Sequence, residues 1–189
     1  MGRFLLLTGD KGAGKTTAVR RVVDAVGREH FAGFFAGEVR RDGARRGFGL
    51  TSLDGGEGVL ASVDSASPLR VGRPNSAGVG RYGIELDFLE NVCVPLMRKA
   101  AEHPGGAILV LDEIGPMQLY SEAFKDAVLG LLSDESDALV FGTIVLRSTP
   151  WTDALKKRAG VETFLLTEAN RDSLTRMMSL YLGELVRRR

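Results

Sequence analysis

The chain has 189 residues, 25 of them Lys or Arg and 24 Asp or Glu, for a formal net charge of +1. A balance so near neutrality gives no reason to expect nucleic acid or an anionic membrane surface as a partner, and a single cysteine excludes a disulfide framework. The length suits one α/β domain over residues 1–189, able to bury about 70% of its unfolded surface.

The first expected element is an apolar strand, Arg3 to Thr8, that runs straight into Gly9-Asp10-Lys11-Gly12-Ala13-Gly14-Lys15-Thr16. This is the GxxxxGKT pattern of a phosphate-binding loop. Glycines let consecutive backbone N–H groups turn inward around a polyphosphate, Lys15 reaches the β and γ phosphates, and the Thr16 hydroxyl ligates Mg²⁺. An amphipathic helix follows from Thr16 to Val26, with Ala18, Val19, Val22, Val23 and Val26 on one face, and its N-terminus adds a positive dipole end. Lys11 either contributes its ammonium to the phosphates or points to solvent. The initial apolar run is shorter than the core of a signal peptide, and no stretch approaches a membrane span. With one cysteine in an apolar run, expected as a buried inert thiol, a reducing, cytoplasmic setting is expected.

Phe31 to Arg40 reads as a strand, Asp42-Gly43 as a hairpin turn and Arg46 to Leu53 as the return strand. Asp54-Gly55 then leads to a third strand over Gly58 to Val63. These make an antiparallel β insertion which, with the loop after it, spans about residues 33–83. Glu38 and Arg40 lie at the end of the first inserted strand, either in reach of a γ phosphate or second substrate or joined as a cross-strand ion pair. Ser65 to Gly83 is poor in large apolar residues and holds Pro68, Pro74, Asn75 and the glycines Gly72, Gly78, Gly80 and Gly83, so it reads as a long loop. Tyr82 in it either shields the site or closes the loop over the core. Leu86 to Ala101 has helical spacing and carries Cys93; Pro95 should kink or split it, and His103-Pro104-Gly105-Gly106 ends it.

Strands and helices then alternate: strand Ala107 to Leu111, helix Glu122 to Leu132, strand Ala138 to Val145, helix Thr152 to Ala159, strand Glu162 to Leu166 and helix Asn170 to Val186. Such alternation implies a largely parallel sheet with helices on both faces and ligands at the carboxyl ends of the strands. Asp112-Glu113 follows one strand directly, as in a Walker B segment. Asp112 can hold Mg²⁺ through water beside Thr16, and Glu113 can orient and deprotonate an attacking water. Thr143 and Arg147 come to the same edge. Arg147 either stabilises charge on the γ phosphate or is a surface arginine. Asn170 can hydrogen-bond a base with Arg171 stacked on it, or can cap the last helix. Arg187, Arg188 and Arg189 read as cations at a helix C-terminus.

Taken together, these segments resemble the cancer-related nucleoside-triphosphatases, a family of small P-loop proteins with thermophile members. The resemblance rests on Gly9 to Thr17, Gly33 to Arg40, Gly47-Phe48, Val79 to Tyr82, Asp112-Glu113-Ile114-Gly115, Met117, Ser121, Phe124, Gly142-Thr143-Ile144 and Asn170-Arg171. It implies a P-loop fold that slowly hydrolyses ATP, GTP and other nucleoside triphosphates with Mg²⁺ and little base selectivity. It maps the phosphate-binding lysine onto Lys15, the Mg²⁺ hydroxyl onto Thr16, the acidic pair onto Asp112 and Glu113, and the loop contacts onto Gly9 through Thr17. Three departures stand out: Pro116 where the family has a lysine, Asp10-Lys11 for a Pro-Pro pair, and Phe35-Ala36 for Tyr-Thr.

The sequence thus favours a monomeric NTP hydrolase. A kinase using the insertion as an acceptor pocket is the alternative, and a nucleotide-dependent switch or interaction module the non-enzymatic one.

Overall fold

A computed structural model describes residues 3–74, 79–102, 106–147 and 149–188. Strand β1 (Phe4–Thr8) is buried along its whole length. Leu5 and Leu7 join one apolar cluster, and Phe4 and Leu6 the other. A strand covered on both faces has to read as a continuous apolar run. Helix α1 (Lys15–Val26) buries Ala18, Val19, Val22 and Val23. The inserted strands are β2 (Phe31–Arg41), β3 (Ala44–Ser52), β4 (Glu57–Ser62), β5 (Arg70–Pro74) and β6 (Gly80–Ile84). They are followed by α2 (Val94–Glu102), β7 (Ile108–Ile114), α3 (Glu122–Gly130), β8 (Val140–Ile144), α4 (Pro150–Lys156), β9 (Val161–Leu165) and α5 (Arg171–Arg188).

Among the described residues the nine strands form one sheet in the order β5-β6-β4-β3-β2-β7-β8-β1-β9. β2, β7, β8, β1 and β9 run parallel; β3, β4, β6 and β5 extend the β2 side as antiparallel neighbours. One face packs on α1 and α5 through Val19, Val22, Leu174, Met178 and Leu182. The other packs on α2, α3 and α4 through Met97, Phe124, Val128 and Leu155. No helix among the described residues is long and apolar enough to cross a membrane.

Three expectations change. Ser65 to Gly83 is not a loop throughout: it contains β5 and β6, and β6 pairs with β4 at Ala61 and Ile84. Composition hid these strands because their cohesion is partly polar. The Arg70 guanidinium donates to the carbonyls of Ser65 at 2.9 Å, Gly80 at 2.8 Å and Arg81 at 3.0 Å. Buried Tyr82 and Ile84 supply the apolar side.

Second, the helix around Cys93 is disturbed upstream of Pro95. Leu89–Cys93 forms a π-helical turn in which the Val94 N–H donates to Leu89 O, the wider winding that accommodates a missing donor one residue later. Third, β7 runs on to Ile114, so Asp112 and Glu113 lie inside the strand. Asn75, Gly78, His103, Pro104, Gly105 and Arg189 lie outside the described residues.

β8 approaches β7 very closely at Gly142, where an added Cβ would stand 2.1 Å from the Leu111 carbonyl oxygen. Gly142→Ala therefore has to push apart two central strands immediately before Asp112. We expect a loss of about 2–3 kcal/mol of stability, read as a lower urea midpoint with an unchanged m-value.

Candidate active site

The phosphate loop leaves the carboxyl end of β1 and enters α1 at Gly14, which has φ 96° and makes no side-chain cap to the first turn. The N-terminal N–H groups of α1 are thus left for an anion. Gly12 also adopts a left-handed φ of 88°, and the Ala13 N–H closes the turn on Asp10 O at 3.2 Å. Across the loop the Lys15 ammonium donates to the carbonyls of Gly9 at 2.9 Å and Asp10 at 3.2 Å.

The loop borders a cavity of about 740 Å³. It is lined by Gly9, Asp10, Lys11, Gly12, Gly14, Lys15, Thr16 and Thr17 of the loop and by Glu113, Gln118, Thr143 and Arg147; Ala36, Glu38 and Phe48 add the insertion to its lining. Ala13 turns into the core instead.

Asp112 is 1% exposed. One carboxylate oxygen accepts from Thr143 Oγ1 at 2.7 Å, and the other, Oδ2, has no partner. Burial pushes the carboxyl above the usual aspartate range, opposed by the Thr143 hydrogen bond, the nearby Thr16 hydroxyl and the charges of Arg20 and Lys15. A buried, half-satisfied carboxylate beside a hydroxyl suits a cation. Among the described residues no three His, Cys, Asp or Glu side chains are grouped to hold a metal. Asp112 and the Thr16 hydroxyl are the groups that could hold Mg²⁺, which takes few protein ligands and completes its shell with phosphates and water.

Glu113 is half-buried on the cavity wall. Burial raises its carboxyl above the ordinary value, Lys15 lowers it and Asp112 raises it further.

At the edge, the Arg45 and Arg40 guanidinium groups bind Glu38 at 2.5 and 3.0 Å. The hydrogen bond from Arg45 holds the Glu38 carboxyl below its usual value despite partial burial, with Arg40 adding to the effect. Glu38 is thus ion-paired, across strands with Arg45 and along its own strand with Arg40 in place of the expected cross-strand pair, and it lines the cavity. Lys11 leans toward it, with Nζ 3.9 Å away. Arg45 also donates to the Tyr82 hydroxyl at 3.1 Å, and the Tyr82 ring stands edge-on to Phe48 at 5.4 Å. Tyr82 therefore braces the cavity wall from behind and does not line it.

Asn170 and Arg171 lie elsewhere. The Asn170 carboxamide accepts from Thr167 N at 2.7 Å and donates to Leu165 O at 2.8 Å, so both its ends tie down the turn before α5. The Arg171 side chain crosses Gly14, where an added Cβ would meet its Cδ at 2.9 Å. It thus lies against the phosphate loop at Gly14. Of the three departures, Asp10 and Lys11 line the cavity, as does Ala36, while Phe35 is buried under the Arg20 guanidinium at 4.2 Å and Pro116 is exposed. Gln118 and Arg45 were missed by sequence reasoning. Gln118 sits on a single turn of 3-10 helix without an amphipathic signal, and Arg45 reaches the site only through cross-strand register.

A family model described as NTPase matches residues 4–178. The chain is 36% identical over 170 residues to the nucleoside-triphosphatase THEP1 of Thermotoga sp. (strain RQ2), covering 90% of each chain. It is 34% identical over 181 residues to the human cancer-related nucleoside-triphosphatase, covering 92% and 93%. Its fold is similar to the crystal structure of THEP1 from Aquifex aeolicus, with TM-score 0.78 and 28% identity over 93% of this chain and 96% of that one. The solution structure of the human protein gives TM-score 0.74 and 30% identity, over 95% and 97%.

Because burial raises Asp112, the native state keeps this proton to a higher pH than the unfolded chain does. The contribution is fully present below the unfolded value and is lost as pH rises through the native one. Thr143→Val removes a hydrogen bond that favours the charged form, so it should destabilise by about 1–3 kcal/mol at pH 8 and by less at about pH 4. Urea unfolding of both proteins at the two pH values checks this.

Proposed function

The chain belongs to the NTPase family, and from that membership we infer that it is a nucleoside-triphosphatase, hydrolysing ATP, GTP and other nucleoside triphosphates slowly to diphosphate and phosphate with Mg²⁺. The observation that carries this reading is one cavity lined by the uncapped phosphate loop and half-buried Glu113, with the buried Asp112 hydrogen-bonded to Thr143 of its wall.

In this mechanism the backbone N–H groups from Gly9 to Thr17 take the phosphate oxygens, and Lys15 exchanges its bonds to Gly9 and Asp10 for the β and γ phosphates. Thr16 and Asp112 would hold Mg²⁺, which when bound supplies charge neutralisation on the phosphates. Glu113 accepts a proton from a water that attacks the γ phosphorus; partial burial brings its carboxyl nearer neutrality, where a carboxylate is the stronger base. Arg147, on the cavity wall, adds positive charge at the transferring group. Broad base tolerance is part of this reading, in keeping with an Asn170 carboxamide whose bonds go to Thr167 N and Leu165 O.

Phosphate release from ATP, GTP, CTP and UTP with Mg²⁺ tests the reading. Wild type should turn over all four without an acceptor, and Lys15→Ala and Glu113→Gln should each lose about 100-fold or more in kcat. Product that forms only with an added acceptor, and on that acceptor, would show a kinase. Tight nucleotide binding without turnover would show a switch.

A further inference from the structure

Gln118 is 1% exposed although its side chain borders the cavity, and its Oε1 has no hydrogen-bond partner. A buried amide oxygen without a donor carries a desolvation cost, and such atoms call for a ligand or a water. Its position narrows the choice. Both Gln118 Oε1 and Glu113 Oε2 converge on the space beside Gly115, where an added Cβ would lie 3.3 Å from the first and 2.9 Å from the second. Any side chain at residue 115 would enter this space. Glycine leaves it to the two oxygens.

We propose that Gln118 is a second catalytic residue of the hydrolysis, its Oε1 accepting one hydrogen of the attacking water while Glu113 Oε2 accepts the other. The inference rests on the hydrolase reading above. A water has two hydrogens; once both are given to fixed acceptors, its two lone pairs are left free for an electrophile. In the step itself the water oxygen forms a bond to the γ phosphorus. The bond from that phosphorus to the bridging oxygen breaks, its electron pair leaving with the diphosphate, and the water proton passes to the Glu113 carboxylate. Gln118 gives and takes no proton. It removes rotational freedom from the nucleophile, the contribution expected of a group that orients a reactant.

Gln118→Met keeps the length and volume of the side chain and removes the acceptor. Replacing an unpartnered buried amide with an apolar side chain of similar shape should leave the melting temperature unchanged or raise it. The expected result is a roughly 10- to 100-fold fall in kcat with MgATP, with the Kd for a non-hydrolysable ATP analogue within about twofold of wild type. Gln118→Met in a Glu113→Gln background should then cost less than about threefold more, because both residues hold one water. Gln118→Glu, which keeps an oxygen at the same reach, should be at least about tenfold faster than Gln118→Met and serves if the methionine variant does not fold.

Wild-type kcat in Gln118→Met, full additivity with Glu113→Gln, or Gln118→Glu no faster than Gln118→Met would each overturn the proposal. An inactive wild type would instead overturn the hydrolase reading on which it rests.

Discussion

Asp112 places a carboxyl group inside the central parallel layer, 1% exposed and bonded through only one of its oxygens. Removing an ionised carboxylate from water costs several kcal/mol unless charge or hydrogen bonding compensates, and the elements around it supply that compensation from three directions. β8 contributes the Thr143 hydroxyl. α1 brings Thr16, Lys15 and Arg20 close enough for hydroxyl and charge to oppose the effect of burial. The close approach at Gly142 sets the spacing between β7 and β8 just before the carboxylate. A site held this way still leaves one carboxylate oxygen without a partner.

The insertion is coupled to the same place by a relay of polar and aromatic contacts. Arg45 binds Glu38 and the Tyr82 hydroxyl, and Tyr82 supports Phe48 at the cavity edge. These residues come from β2, β3 and β6, so the far strands of the sheet position the wall that faces the phosphate loop. Burial of Tyr82 among Ala61 and Ile84 keeps the relay from depending on exposed ion pairs alone, which are individually worth little.

The phosphate loop, the Asp112-Glu113 pair and the helix–strand alternation were legible because each follows from a local rule: glycine at positive φ, an apolar run ending in acid, a 3.6-residue period. What was not legible depends on long-range pairing. β5 and β6 are held in part by Arg70 reaching backbone carbonyls ten and eleven residues along, and no hydrophobic alternation announces that. β7 runs on because Asp112 pairs with Phe35 of β2 and, beyond an irregularity in the other ladder, Ile114 pairs with Ile144 of β8, which overrides the polarity that suggested a strand end. Gln118 enters the cavity because a short turn folds back under Glu113, and its three-residue offset from Gly115 carries no signature. Asn170 had two local explanations, and its hydrogen bonds show it securing the turn ahead of α5.

Lys15 bridging the carbonyls of Gly9 and Asp10 gives the loop an internal counter-ion. The ammonium holds two of the loop's carbonyls together, so the curvature of the loop has support within the chain itself. Capturing a polyphosphate is then an exchange of partners by one cation, with little backbone left to order. Much of the entropic cost of forming the cradle is met during folding, and affinity becomes a balance between two sets of oxygens competing for a single charge.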